Sequence, residues 1–189
     1  MNLNDTLAKM MGAARDCYQT DRKLSFADLT GLLKPAPNLL SNTDDFSGDW
    51  FVTDGSNVIK PGNKEFQGLK TYTYKENSGG RGVSYAKDFD SGNYTFSLFI
   101  YYDGDGSQRD ALDVRPLLHI PFNLRKGWNR YVFPFNVEKK FNSILPSFWT
   151  ATGGMFAGYK LERGSVATPY LRKDGVLVKA PEIIVGGDS

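Results

Sequence analysis

Apolar and polar positions follow two rhythms in this chain. Over the first seventeen residues Leu3, Leu7, Met10, Ala14 and Cys17 recur at spacings of 4, 3, 4 and 3, with Asn, Asp, Lys and Arg between them. This predicts one apolar stripe on a helix of about four turns. The spacing is also that of a coiled-coil seam, although its two heptads fall short of the roughly three or four that define one. Two readings stand: a helical hairpin packed on its own domain, or a docking and oligomerisation element built on Leu3, Leu7, Met10 and Ala14. A second short helix is expected from Ser25, an N-cap with Asp28 three residues on and Leu24 and Leu29 at staple positions. It should stop before Pro35.

Lys34-Pro35-Ala36-Pro37 forbids helix and predicts an extended spacer over 35–37. Beyond it the rhythm becomes that of strands. Tyr94, Phe96, Leu98, Ile100 and Tyr102 fall on one side of the segment Asn93 to Asp103, and Thr95, Ser97, Phe99, Tyr101 and Asp103 on the other. Further strands are expected at Trp50 to Val52, Lys70 to Lys75, Gly82 to Asp88, Leu117 to Phe122, Trp128 to Phe135 and Met155 to Glu162. Turn signals at Asp54-Gly55, Pro61-Gly62-Asn63, Ser78-Gly79-Gly80, Asp103-Gly104-Asp105-Gly106 and Lys126-Gly127 separate them. Many short strands with little helical pattern predict a mostly β protein, an antiparallel sandwich or barrel. The expected organisation is a helical segment at 1–34, a spacer at 35–37, a sandwich over 38–170 and a tail at 171–189, in which Val176 to Val178 adds a short strand and the last four residues fray.

Composition narrows the function classes. Across 189 residues, 23 basic against 21 acidic side chains leave a net charge of +2, too little to steer a polyanion, so no nucleic-acid partner is expected. The longest apolar string, Phe96 to Tyr102, is far short of the ~20 residues a bilayer span needs, so no membrane insertion is expected. The first twenty residues carry Asp5, Lys9, Arg15 and Asp16 and do not read as a secretory signal. Cys17 is the only cysteine, which excludes an intramolecular disulfide and a cysteine cage for zinc.

Catalytic chemistry is thin. His119, the only histidine, lies in an expected strand without a partner pair in sequence, and reads as a surface or satisfied histidine. Asp103-Gly104-Asp105-Gly106 fails as an EF-hand, with Gln108 and Val114 where Gly and Glu belong, and reads as a hairpin loop. Aspartates at 44 and 45, 88 and 90, and 110 and 113 read as solvated loop residues before they read as a glycosidase pair. The chain is expected not to be an enzyme and to carry no cofactor; a structural calcium ion at Asp44 or Asp45 stays open.

What remains is the aromatic inventory. Phe99 and Tyr101 share their side of one strand with Thr95, Ser97 and Asp103, while Trp128 and Arg130 lie opposite the apolar Tyr131, Phe133 and Phe135. If those mixed sides pair, they form a shallow platform of rings rimmed by Ser, Arg and Asp, the composition of a carbohydrate groove; equally, Trp128 and Phe99 could cap a core edge. Trp149, in Pro146 to Thr150, reads as a ring guarding a pocket or plugging a core end. The candidate contacts are Phe99, Tyr101, Trp128, Arg130 and Trp149.

Two segments carry a resemblance. Asn38-Leu39-Leu40 with Asp45-Phe46-Ser47-Gly48-Asp49-Trp50, and Tyr159-Lys160-Leu161-Glu162-Arg163-Gly164-Ser165-Val166-Ala167-Thr168-Pro169-Tyr170, resemble the opening and the Lys-Leu-Glu-Lys-Gly-Ser-x-Ala-Thr-x-Trp ending of carbohydrate-binding-module-like domains in tail and minor structural proteins of phages of Gram-positive bacteria. Arg163 and Tyr170 depart from that ending. Asn93 to Ser97 and Gly127 to Tyr131 fit more loosely, and the resemblance spans about residues 37 to 170. It implies a jelly roll on a virion, made in the host cytoplasm, attached by its N-terminal helices to other virion proteins as an oligomer, and reading host cell-surface polysaccharide. The alternatives are a connector that binds no glycan and, behind it, a glycan-cleaving enzyme.

Overall fold

The computed structural model describes residues 35–48, 50–52, 59–74, 82–105, 109–147 and 153–186. Both expected helices, the stripe Leu3, Leu7, Met10 and Ala14, and Trp149 lie outside them. Among the described residues all regular structure is strand: β1 (Trp50–Val52), β2 (Ile59–Phe66), β3 (Leu69–Tyr74), β4 (Val83–Phe89), β5 (Gly92–Tyr102), β6 (Arg109–Arg115), β7 (Leu118–Asn123), β8 (Gly127–Val137), β9 (Phe141–Ser147), β10 (Gly154–Arg163), β11 (Tyr170–Leu171), β12 (Leu177–Val178) and β13 (Ile183–Val185).

The strands form a five-stranded sheet ordered β1-β4-β9-β6-β7, a six-stranded sheet ordered β13-β8-β5-β10-β3-β2, and the small β11-β12 hairpin. From β3 to β10 the chain passes back and forth between the two large sheets, except for the β6-β7 hairpin within one of them, which is jelly-roll winding. All described pairings are antiparallel except that of β13 with β8.

Alternation builds the core. In β5 the residues Tyr94, Phe96, Leu98, Ile100 and Tyr102 all turn inward, beside Tyr131, Phe133 and Phe135 of β8. The facing sheet supplies Val83, Tyr85, Leu112, Val114, Phe122, Phe141 and Ile144. Rings lock edge to face across the gap, as in Phe122–Phe133 at 4.9 Å, and each buried side chain of this size contributes about 1.5–3 kcal/mol.

The opening and closing segments clasp each other. Leu39 N donates to Leu161 O (2.8 Å), Leu161 N to Asn38 Oδ1 (3.0 Å), and Asn38 Nδ2 to Tyr159 O (2.8 Å). Tyr170 Oη bonds Thr43 Oγ1 at 2.8 Å and donates to Asp44 Oδ1 at 2.9 Å. Phe46 sits with its edge or face against Trp50 and Tyr159, at 5.0 and 4.9 Å. The two segments that carry the resemblance are therefore one structural unit. Arg163, one of its departures, lies 4.2 Å from the Tyr94 ring centroid and seals that buried ring.

Several expectations change. The spacer does not hang free, because Ala36 N donates to Thr168 Oγ1 at 2.8 Å. The sandwich does not end at 170, because β13 adds a sheet edge beside β8. Pro61-Gly62-Asn63 lies within β2, whose register shifts there; proline and a bulge are tolerated on an edge strand. The strands on either side of the expected Asp103–Gly106 hairpin loop, β5 and β6, lie in different sheets and form no hairpin. Asp110 and Asp113 stand on β6 and not in a loop, and Asp110 is buried.

Burial also sets the alkaline limit of the fold. Burial pushes the Tyr131 hydroxyl, which accepts a bond from Arg125 N at 2.7 Å, up to about 12 from an ordinary 10.0, and raises Tyr159 and Tyr170 in the same direction. Below pH 10 tyrosine is protonated in both states and the stability is complete. Between pH 10 and about 12 only the unfolded chain releases the Tyr131 proton, so stability falls by roughly 2–3 kcal/mol from this group alone. Urea midpoints should be flat from pH 7 to 9 and drop through pH 10–12, with tyrosinate absorbance rising together with unfolding.

Candidate functional site

The outward face of the six-stranded sheet carries the polar and aromatic side chains of interest, and its two ends differ. At one end the sheet is covered. Phe99 is fully buried under Phe66 (5.2 Å) and Tyr170 (5.7 Å), in a second apolar cluster with Leu69, Ala157 and Val178. Two features bring the cover down. The β2-β3 hairpin pairs with β10 only through Tyr72, Thr73 and Tyr74, and its far end folds over the face. Beneath it, β10 shifts register between Ala157 and Lys160. Gly158 makes that close approach, with φ +59, where a Cβ would meet Leu69 Cδ1 at 2.7 Å and the Phe99 ring at 3.0 Å.

The same cover buries a polar latch. Lys160 and Glu162 are 3% and 0% exposed. Lys160 Nζ lies 3.1 Å from Glu162 Oε2 and donates to Thr168 Oγ1 and Pro169 O. Glu162 accepts Thr168 N at 2.9 Å and Thr168 Oγ1 at 2.6 Å. Arg130 Nη2 donates to Ser97 Oγ and Thr168 O, both at 2.8 Å. Burial pulls the Lys160 ammonium below the usual lysine range, and the Glu162 carboxylate opposes that. The Lys160-Leu161-Glu162 run followed by Thr168 thus serves, in this chain, to fasten residues 164–170 to the sheet.

Phe99 and Arg130 are therefore corrected: their strands pair as needed, Phe99 beside Arg130, but the C-terminal segment and the hairpin tip lie over them. Their partners Tyr101 and Trp128, one step nearer the other end, stay half-buried and side by side, with ring centroids 5.7 Å apart. Strand register extends this pair into a row. Trp128 pairs with Tyr101, Tyr101 with Met155, Met155 with Thr73, and Thr73 with Lys60. All five lie on the outward side, because their neighbours Tyr102, Phe156, Tyr72, Tyr74 and Ile59 turn into the core. Met155 and Thr73 are half-buried and Lys60 is exposed. Four inter-strand steps of about 4.8 Å give the row a length of about 19 Å. Trp128 is held upright by Phe66, stacked 4.0 Å away with 19° between planes.

This row offers flat apolar faces at one end and a hydroxyl and an ammonium at the other, with no carboxylate, histidine or cysteine in it. Met155, Thr73, Lys60 and the brace Phe66 were not foreseen. The period-two pattern of Met155-Phe156-Ala157 would have placed Met155 outward, but only the pairing of β10 with β5 and β3 brings it between Tyr101 and Thr73.

Other expected sites resolve differently. His119 is exposed on β7, its Nδ1 2.6 Å from Asp113 Oδ1. Asp44 accepts Tyr170 Oη and Lys173 N (2.8 Å). Asp45 accepts Ser47 N at 3.0 Å, and its bonds to Ser47 hold its carboxyl below the usual range. Both are engaged within the chain, and among the described residues no group of three or more His, Cys, Asp and Glu side chains could hold a metal ion.

No family profile matches the chain, and no curated protein matches it. Among solved structures it is similar to the CBM22-1 and GH10 modules of Clostridium thermocellum endo-1,4-β-D-xylanase 10B complexed with xylohexaose, with 15% identity, TM-score 0.47, and 61% of this chain against 26% of that one. It is also similar to TmCBM61 in complex with β-1,4-galactotriose, with 13% identity, TM-score 0.45, and 68% of this chain against 100% of that one. A third is the CBM22-1 xylan-binding domain of Paenibacillus barcinonensis Xyn10C, with 14% identity, TM-score 0.44, and 78% of this chain against 98% of that one. This chain spans about a quarter of the xylanase chain.

Proposed function

We propose that this chain is a bacteriophage virion protein whose sandwich binds host cell-surface carbohydrate along the row Trp128, Tyr101, Met155, Thr73 and Lys60, and whose residues ahead of Pro35 attach it to the particle. The observation that carries the binding reading is the half-exposed Trp128–Tyr101 pair, held rigid by Phe66 and continued in register by a hydroxyl and an ammonium. Sugar rings present C–H faces that pack on aromatic rings, and hydroxyls that need polar partners close by. The absence of a carboxylate from these five residues favours binding over glycosidic cleavage, which uses two. The sequence resemblance at 38–50 and 159–170 supports the virion setting.

A row of this size holds one glycan weakly, and many copies on a particle make such binding effective. Protein presented on a multivalent scaffold should bind isolated wall polysaccharide of Gram-positive bacteria saturably and release no reducing ends. Absence of saturable binding across such polysaccharides would favour the connector reading instead.

A further inference from the structure

The two ends of the outward row differ in charge. At the end of Trp128 and Tyr101, the next position on Tyr101's side is Asp103, exposed just past the last residue of β5. At the other end stands Lys60, exposed on the edge strand β2. Among the described residues, ion pairs join His119 to Asp113, Arg125 to Glu182, Lys140 to Asp90, Lys160 to Glu162 and Arg172 to Asp174, and Lys60 takes part in none of them. The row therefore ends on an ammonium whose charge no described carboxylate neutralises.

Donor chemistry at that end points the same way. Thr73 Oγ1 donates to Lys60 O at 3.2 Å, so its proton is committed and toward a ligand the hydroxyl can only accept. Met155, between Tyr101 and Thr73, has no side-chain N–H or O–H. Past Tyr101, the Lys60 ammonium is thus the side chain of the row that donates, with three N–H groups and no acceptor. A neutral hydroxyl can take one of these, but an anionic oxygen forms a charge-assisted bond roughly twice as strong. Beside Asp103 the preference reverses, because a carboxylate accepts from sugar hydroxyls and repels an anion.

Register sets the spacing. From Tyr101 through Met155 and Thr73 to Lys60 there are three inter-strand steps, a distance of about 14 Å. A glycan lying along the row meets rings and a hydroxyl acceptor at one end and a bare cation at the other.

We propose that the glycan taken by this row is anionic, with a phosphate or carboxylate oxygen on Lys60 Nζ and an uncharged sugar ring on Trp128 and Tyr101. The inference rests on the reading of the row as the glycan site and adds the ligand's charge and its direction. Selection acts by contact, since a net charge of +2 over the chain supplies no long-range steering.

Calorimetric titration of the full chain tests it with three size-fractionated wall oligosaccharides, one phosphate-bearing, one uronate-bearing and one neutral. At low salt at least one charged probe should bind about threefold or more tighter than the neutral one, the scale of an exposed ion pair. Lys60→Gln should remove that advantage and leave affinity for the neutral probe unchanged, while Lys60→Arg keeps most of it. Salt at about 0.5 M should erase the difference between parent and Lys60→Gln. Which charged probe responds identifies the group as phosphate or carboxylate. Lys140→Gln, past the far end of β8, removes the same charge and should change nothing. Unchanged urea midpoints would show that each variant is folded. Saturable binding of all three probes with affinities that Lys60→Gln does not alter would overturn this inference and leave the row as the glycan site; no binding of any probe would overturn both.

Discussion

Glu162→Gln is expected to lower the unfolding free energy by about 3–5 kcal/mol, a large part of the ~5–15 kcal/mol that holds a domain of this size together. The carboxylate is fully buried and is the partner of Lys160 at 3.1 Å while accepting two bonds from Thr168. An amide in its place leaves the Lys160 ammonium buried without its counter-charge, next to the equally buried Arg130. It also turns one of the acceptors facing Thr168 into a donor. Chemical denaturation should show the loss as a lower urea midpoint with an unchanged slope.

The paired change Lys160→Met/Glu162→Leu should recover most of that loss, because removing both charges removes the desolvation cost along with the attraction. Recovery should be incomplete, since Thr168 N and its hydroxyl lose their acceptor. A Glu162→Gln variant within about 1 kcal/mol of the parent would mean that the latch is not the fastening described above.

The second large effect is on binding. Tyr101→Ala should weaken single-site glycan affinity at least about tenfold, equivalent to ~1.4 kcal/mol, and Trp128→Ala more strongly, because it removes the larger ring and frees Phe66. Phe99→Leu serves as the contrast: Phe99 is buried, so this substitution should cost stability and leave affinity in the folded protein nearly unchanged. An equal loss in all three would show that binding merely follows the amount of folded protein.

How far the sequence carries can be seen strand by strand. The alternation in β5 and β8 is strong because both strands lie inside the six-stranded sheet with one face on the core, and period two then dictates each residue's side. β2, β6 and β9 lacked that signature. Pro61 and its bulge interrupt β2 on a sheet edge, Asp110 and Asp113 break the apolar run of β6, and Pro146 ends that of β9. β6 and β9 are held by pairing with each other and β9 also with β4, far apart in sequence, while β2 is held by its hairpin with β3, none of which local pattern reports.

The site shows the same division. Period two correctly set Phe99, Tyr101, Trp128 and Arg130 on the face away from the core. It could not tell that the last residues of the chain return to cover half of that face, since this depends on Thr168 meeting Glu162 and Arg130, and on Phe66 arriving from β2. The closing motif is the device that makes the cover. Lys160 and Glu162 face away from Tyr159 and Leu161, a polarity that in a buried strand signals a paired charge cluster.

The central claim is that the row across β8, β5, β10, β3 and β2 is where glycan meets protein, and Met155 at its middle reports on it directly. With methyl-labelled methionine, the chain gives four signals, of which Met155 is assigned by Met155→Leu. Titration with size-fractionated wall oligosaccharide should shift the Met155 methyl signal saturably, with the same midpoint as quenching of Trp128 fluorescence. Saturable binding that leaves the Met155 signal unmoved would contradict the account and place the glycan elsewhere on the molecule.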